Sequence, residues 1–263
     1  AAMTDAIPPG PPPASPLPAP RPLARADLAA ALAAGWRDFR AAPGFGLFFG
    51  AAFAAGGIVI YLALASAGRI WWAVPVTVGF PILAPFAAVG LYEVSRRLEA
   101  GQRPRPAEVL AVVWRQKDRQ IPSMSAVIVV FFLFWMFLGH MIFALFLGLS
   151  AMTNITSSFD VYLTANGLMM LAVGTIVGAI FAGVLFSLTV VSLPLLLDRE
   201  VDFISAMIAS VGVVLHNPGT MLLWGAGIGA ALFVAMAPAF LGLVVVLPVL
   251  GHASWHLYRR ALP

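Results

Sequence analysis

Cysteine is absent from this 263-residue chain, which excludes disulfides, thiolate metal centres and cysteine nucleophiles. Charge is nearly as scarce. Asp, Glu, Lys and Arg together make up 10% of the residues, against about 25% in soluble domains, which need charge to cover a water-facing surface. Glycine-rich phosphate loops and an HExxH zinc motif are also missing. What fills the chain is hydrocarbon: 61% of residues are hydrophobic and the mean hydropathy is +0.96. A chain of this composition presents much of its surface to lipid.

The formal net charge is +4. Its placement argues against nucleic acid as a partner, because the basic residues cluster at the ends of apolar segments, where anionic lipid and topology account for them. The expected partners are the lipid bilayer and other subunits of a membrane complex.

Residues 1–24 are proline-rich, with Pro8, Pro9, Pro11, Pro12, Pro13, Pro16, Pro18, Pro20 and Pro22. Proline has no amide donor for helix or strand, so this stretch reads as a disordered tail. Residues 25–263 read as a single integral membrane domain. Apolar stretches at about 44–67, 70–94, 124–150, 167–197, 219–237 and 239–258 each meet or approach the ~20 residues that cross a bilayer. The last two require a tight turn around Pro238. Of the 15 Lys and Arg residues, all but Arg69 fall before the first span, between the second and third, after the fourth or at the end. The positive-inside rule then places both termini in the cytoplasm.

Three segments on that side carry helical apolar stripes: Asp27–Arg40 with Leu28, Leu32, Trp36 and Phe39, Pro106–Arg119 with Leu110, Val113 and Trp114, and Asp202–His216 with Ile204, Ile208, Val211 and Leu215. They are expected as amphipathic helices at the membrane surface, Asp27 capping the first. Each precedes a proline (Pro43, Pro122, Pro218) and a pair of spans, so the order of surface helix, proline, span and span occurs three times. Pro85, Pro194 and Pro248 mark the later part of each even-numbered span, and eight residues beyond them lie Glu93, Asp202 and His256. The fold class expected is therefore all-α: a polytopic membrane helix bundle of about six spans with three surface helices and an internal three-fold repeat.

The stretches GWRDFRAAPGFGLFFG, GFPILAPFAAVGLYEVSRRLEAG, FWMFLGHMIFALFLGLS and SLPLLLDREVDFISAM resemble the proteobacterial integral membrane family called domain of unknown function 2189. The resemblance runs from about Leu28 to the C-terminus. It implies a polytopic inner-membrane protein and supplies no catalytic residues.

Among candidate sites, His140 lies deep in the third span, where an ionisable group is costly. It reads either as a cofactor contact such as a haem ligand, or as a neutral imidazole bonded to a neighbouring helix. Its depth excludes sharing one haem with His252, which lies much nearer the cytoplasmic side. Glu93, Asp202 and His256 form a second candidate, an ionisable cluster for a divalent cation or a proton. The simpler account pairs Glu93, Asp198, Glu200 and Asp202 with Arg96, Arg97 and Arg199. Gly174, Gly178 and Gly183, and the GxxxG of Gly225 and Gly229, are expected to permit close helix packing.

No catalytic residue, metal-ligand set or resident cofactor is assigned. The expected function is a non-enzymatic accessory or assembly subunit of a larger membrane complex, a respiratory one among the options. The alternatives are a carrier for a small or amphipathic solute, motivated by the repeat and the proline-broken helices, and a haem- or quinone-linked redox protein centred on His140.

Overall fold

The computed structural model describes residues 18–68, 76–77, 79–115, 119–154 and 159–263. The proline-rich run as far as Leu17, Arg69, Pro75, Lys117 and residues 155–158, in the loop expected to be external, lie outside the described residues. Within them every regular element is helical. We number the α-helices α1 (Arg25–Ala41), α2 (Pro43–Ser66), α3 (Ala84–Glu99), α4 (Pro106–Arg115), α5 (Ile121–Asn154), α6 (Ala165–Thr189), α7 (Ser192–Asp198), α8 (Phe203–His216), α9 (Pro218–Met236) and α10 (Leu243–Ala261). A short 3-10 turn, Phe80–Leu83, leads into α3.

Local chemistry accounts for the boundaries. Pro43 and Pro218 open α2 and α9 at positions where no amide donor is needed. Thr164 and Asp202 cap α6 and α8, their side chains accepting the amides of Gly167 and Ser205. Asp27, expected as the N-cap of α1, lies instead inside its first turn. The helix begins at Arg25, and the Asp27 carboxylate reaches back to accept the Ala24 amide at 2.9 Å. In α5, Gly148 takes a left-handed φ of 73° and breaks the helix.

Among the described residues four spans are long and apolar enough to cross a bilayer: Pro43–Ser66, Ile121–Gly148, Ala165–Asp198 and Pro218–Met236. These match four of the six expected. The expected span at 70–94 begins outside the described residues and continues as the 3-10 turn and α3, which ends in Arg96, Arg97 and Glu99. The expected span at 239–258 is α10, whose last turns are polar.

The tight turn required near Pro238 is present. Ala239 and Phe240 both take left-handed φ, 49° and 66°, which non-glycine residues adopt only when packing enforces it. The Phe240 ring packs edge-on to Phe80 at 5.4 Å and lies where a Cβ on Gly57 would sit.

The order of surface helix, proline and helix pair is present three times: α1, α2, α3; α4, α5, α6 with α7; and α8, α9, α10. The proline register holds between the first and third copies only. From Pro85, α3 runs on through Arg96 and Arg97; from Pro248, α10 runs on through Arg259 and Arg260. In the second copy α7 stops at Asp198, four residues past Pro194. Asp202 therefore belongs to the next helix, and it is not the counterpart of Glu93 and His256.

Helix α10 is the hub, packing against α1, α2, α3, α7 and α9. Close approach depends on two glycines. A Cβ on Gly35 of α1 would lie 2.6 Å from the Ala253 nitrogen, and one on Gly50 of α2 would lie 2.6 Å from the Val244 carbonyl oxygen. Backbone meets backbone at both. The glycines expected to pack behave otherwise: Gly174, Gly183 and Gly229 face open space, while Gly178 and Gly225 meet only the rings of Trp135 and Phe186.

Candidate functional site

The last turns of α10 carry His252, Trp255, His256, Tyr258, Arg259 and Arg260, and each of these side chains is bonded to another helix. The Trp255 indole N–H donates to Glu99 of α3 at 2.9 Å. The Tyr258 hydroxyl donates to Asp198 of α7 at 2.7 Å. Arg259 bridges Glu99 and Asp198 at 3.2 and 3.3 Å, and Arg260 reaches Asp27 of α1 at 3.5 Å. One end of the bundle is thus closed by a polar layer that ties α1, α3 and α7 to α10.

At its centre His256 Nε2 lies 2.7 Å from Asp38 Oδ2, and His252 Nδ1 lies 2.8 Å from Ser95 Oγ. The two pairs sit one turn apart on α10 and tie it to α1 and α3. His252 Nε2 is buried without a hydrogen-bond partner among the described residues. A lone pair is cheaper to leave at that atom than an N–H, so the proton belongs on Nδ1, which donates to Ser95 Oγ. Burial pushes the Asp38 carboxyl up, but the hydrogen bond with His256, the nearby Ser95 hydroxyl and the two imidazoles outweigh it and hold it below the ordinary carboxylate range.

The serine, histidine and carboxylate do not make a nucleophilic triad. Asp38 bonds the second histidine rather than the far nitrogen of His252, and Ser95 is fully buried. The arrangement fixes helices.

Glu93 is fully buried on α3 and is gripped by Arg96 at 2.8 Å and Arg97 at 2.6 Å; Arg97 also pairs with Glu108 of α4. This is the expected pairing. Asp198 pairs instead with Arg259 and Tyr258, and Glu200 with Arg119. Asp202 is exposed and takes the Ser205 amide; among the described residues no arginine bonds it. Hydrogen bonds from Ser205 hold its carboxyl below the ordinary range. Glu93, Asp202 and His256 accordingly have separate partners. No group of three or more His, Asp or Glu among the described residues is placed to hold a metal ion. His140 is half-buried on α5, a helix whose principal neighbour is α6.

Sequence reasoning reached His252 and His256 and missed Asp38, Ser95, Glu99, Trp255 and Tyr258. A usable signal was present. His252, Trp255, His256 and Arg259 recur at helical spacing within an otherwise apolar segment, and such a polar face needs partners.

A closed polar layer at one end, with long apolar helices beyond it, defines an all-α integral membrane protein. Residues 73–198, just under half of the chain, match the family described as "Predicted integral membrane protein (DUF2189)", in line with the resemblance seen in the sequence. No curated protein and no solved structure matches the chain.

Proposed function

We propose that the protein is a non-enzymatic accessory or assembly subunit of a larger membrane complex, seated in the bacterial inner membrane with both termini cytoplasmic. The observation that carries this reading is how little the spans cover one another. Their apolar windows are only 17, 22, 33 and 28% buried within the chain, in order along the sequence. Glycines Gly174, Gly183, Gly227 and Gly229 on α6 and α9 face open space. In lipid, helices associate through small residues that admit a neighbouring backbone, so these faces suit helices of a partner subunit. The polar layer holds the chain together at one end while leaving the spans free to be covered. Photo-crosslinking residues placed at Gly183 and Gly229 in intact membranes test this. Discrete protein adducts that co-purify as a stable complex support it; crosslinks to lipid alone reject it.

A solute carrier is the second reading, supported by interrupted spans: Gly148 breaks α5, the turn at 190–191 separates α6 from α7, and Pro248 lies inside α10. Solute movement by the purified protein in proteoliposomes would favour it over the first.

A further inference from the structure

All three surface helices leave bulky apolar residues exposed. On α1, Ala31, Ala34 and Gly35 are buried with Leu28 and Phe39, whereas Leu32 and Trp36 are 40 and 45% exposed. On α4, Val109 is buried and Leu110 and Trp114 face out; on α8, Ala206 and Ser210 are buried and Ile204, Ile208 and Leu215 face out.

Helix α1 adds a charge asymmetry. It carries two acids and three arginines. Both acids turn inward: Asp27 to Arg260 and the Ala24 amide, Asp38 to His256. Arg25, Arg37 and Arg40 are exposed and make no ion pair among the described residues. Leu32 and Trp36 lie one turn apart, and at 100° per residue Arg25 and Arg40 fall on the same side of the helix. Trp36 is steadied by stacking on Phe39, ring centroids 5.6 Å apart. The helix also stops one residue before α2, the first span, so its distance from the bilayer is set by the covalent chain.

We infer that the outer face of α1, with Leu32 and Trp36 flanked by Arg25, Arg37 and Arg40, is a binding surface for anionic lipid headgroups in the leaflet that α2 enters. Leucine and tryptophan side chains enter the headgroup–acyl boundary. The arginines then meet phosphate at a depth where each adds roughly fivefold to binding. The sign of the face selects the lipid: turning both acids toward α10 leaves only cations outside. A protein partner would have to lie in the headgroup layer to reach the same face, and the covalent link to α2 favours lipid over it.

The test uses the full chain, whose lack of cysteine allows a single probe. Ala33→Cys on the outer face is labelled with an environment-sensitive fluorophore, and the protein is reconstituted into vesicles of phosphatidylcholine alone or with about one-third phosphatidylglycerol. The expected result is a blue-shifted probe protected from aqueous quencher, more so with phosphatidylglycerol, the difference shrinking in high salt. Arg25→Gln/Arg37→Gln/Arg40→Gln should lower the phosphatidylglycerol retained after detergent extraction by at least tenfold without changing the melting temperature. Three outcomes overturn the inference: a water-exposed probe in both vesicles, equal protection and retention in both, or protection that appears only when other membrane proteins are added back.

Discussion

His256 Nε2 and Asp38 Oδ2 meet at 2.7 Å across 218 residues of chain, so the last helix is clasped to the first. The pair is mostly buried, with side-chain exposures of 18 and 14%. Around it, Ser95, His252, Glu99, Asp198 and Asp27 bond α10 to three other helices. Pairing of this kind is the expected outcome where ionisable groups leave water, since each must find a counter-charge or a hydrogen bond.

That clasp predicts an acid-sensitive stability. Asp38 has its carboxyl depressed in the folded state, so its contribution is complete above the ordinary carboxylate pKa near 4 and is lost as pH falls through the lower folded value. In detergent, the wild-type melting temperature should fall on acidification from pH 5 to pH 3. Asp38→Asn should lower it at pH 6 and flatten that acid dependence. Parallel curves for the two proteins would show that Asp38 is not a linked group.

Glu93 offers a test of buried-charge logic. Arg96→Ala/Arg97→Ala leaves a fully buried carboxylate without its cations, a loss of about 3–5 kcal/mol. Adding Glu93→Leu removes the stranded charge and should restore most of the melting temperature. Failure of the triple variant to recover would mean that the arginines act chiefly through their pairings elsewhere, such as Arg97 with Glu108.

Glycine substitutions should separate packing from open faces. Gly35→Ala forces a methyl to within 2.6–2.7 Å of α10 backbone atoms and should sharply reduce folded yield. Gly183→Ala meets nothing within 4 Å and should be neutral or stabilising by about 0.5–1 kcal/mol, as alanine in a helix is. Size-exclusion profiles and melting temperatures check both.

Asn217 ties down the stretch that leads into α1. Its Oδ1 accepts the Leu23 amide at 2.7 Å, its Nδ2 donates to the Arg21 carbonyl at 3.0 Å, and the Arg21 amide donates to Ala261 at 2.9 Å. Residues 18–24, read from sequence as part of the disordered tail, are thereby pinned. Asn217→Ala strands the Leu23 amide, at about 1–3 kcal/mol. Faster hydrogen exchange and proteolysis over 18–24 should follow, with α5 and α6 unchanged.

Sidedness is checked by two single cysteines. Arg103→Cys and Leu163→Cys flank α5, one span apart. An impermeant maleimide applied outside spheroplasts should label only position 163. Labelling of both positions, or of 103 alone, would reject the proposed orientation.

The sequence by itself determined the class of molecule, the four long spans and the order of the elements. These follow from composition and from periodicities read within a single segment, because hydropathy is a local property: a run such as VVFFLFWMFLG crosses lipid whatever its neighbours do. Proline and cap signals placed the starts of α2, α8 and α9 for the same reason. Tertiary structure decided the rest. Which side of α1 faces in could not be read from its stripe, since Leu28 and Leu32 are equally apolar; Gly35, by admitting the α10 backbone, selected Leu28 and Phe39 for the interior and left Leu32 and Trp36 outside. The partners of His252 and His256 lie 157 and 218 residues away, and no local spacing encodes such contacts. Asp202 was misaligned because a count of residues from Pro194 cannot see that α7 ends at Asp198. Close backbone approach and the pairing of buried charge are properties of helices already brought together, and only the folded chain brings them there.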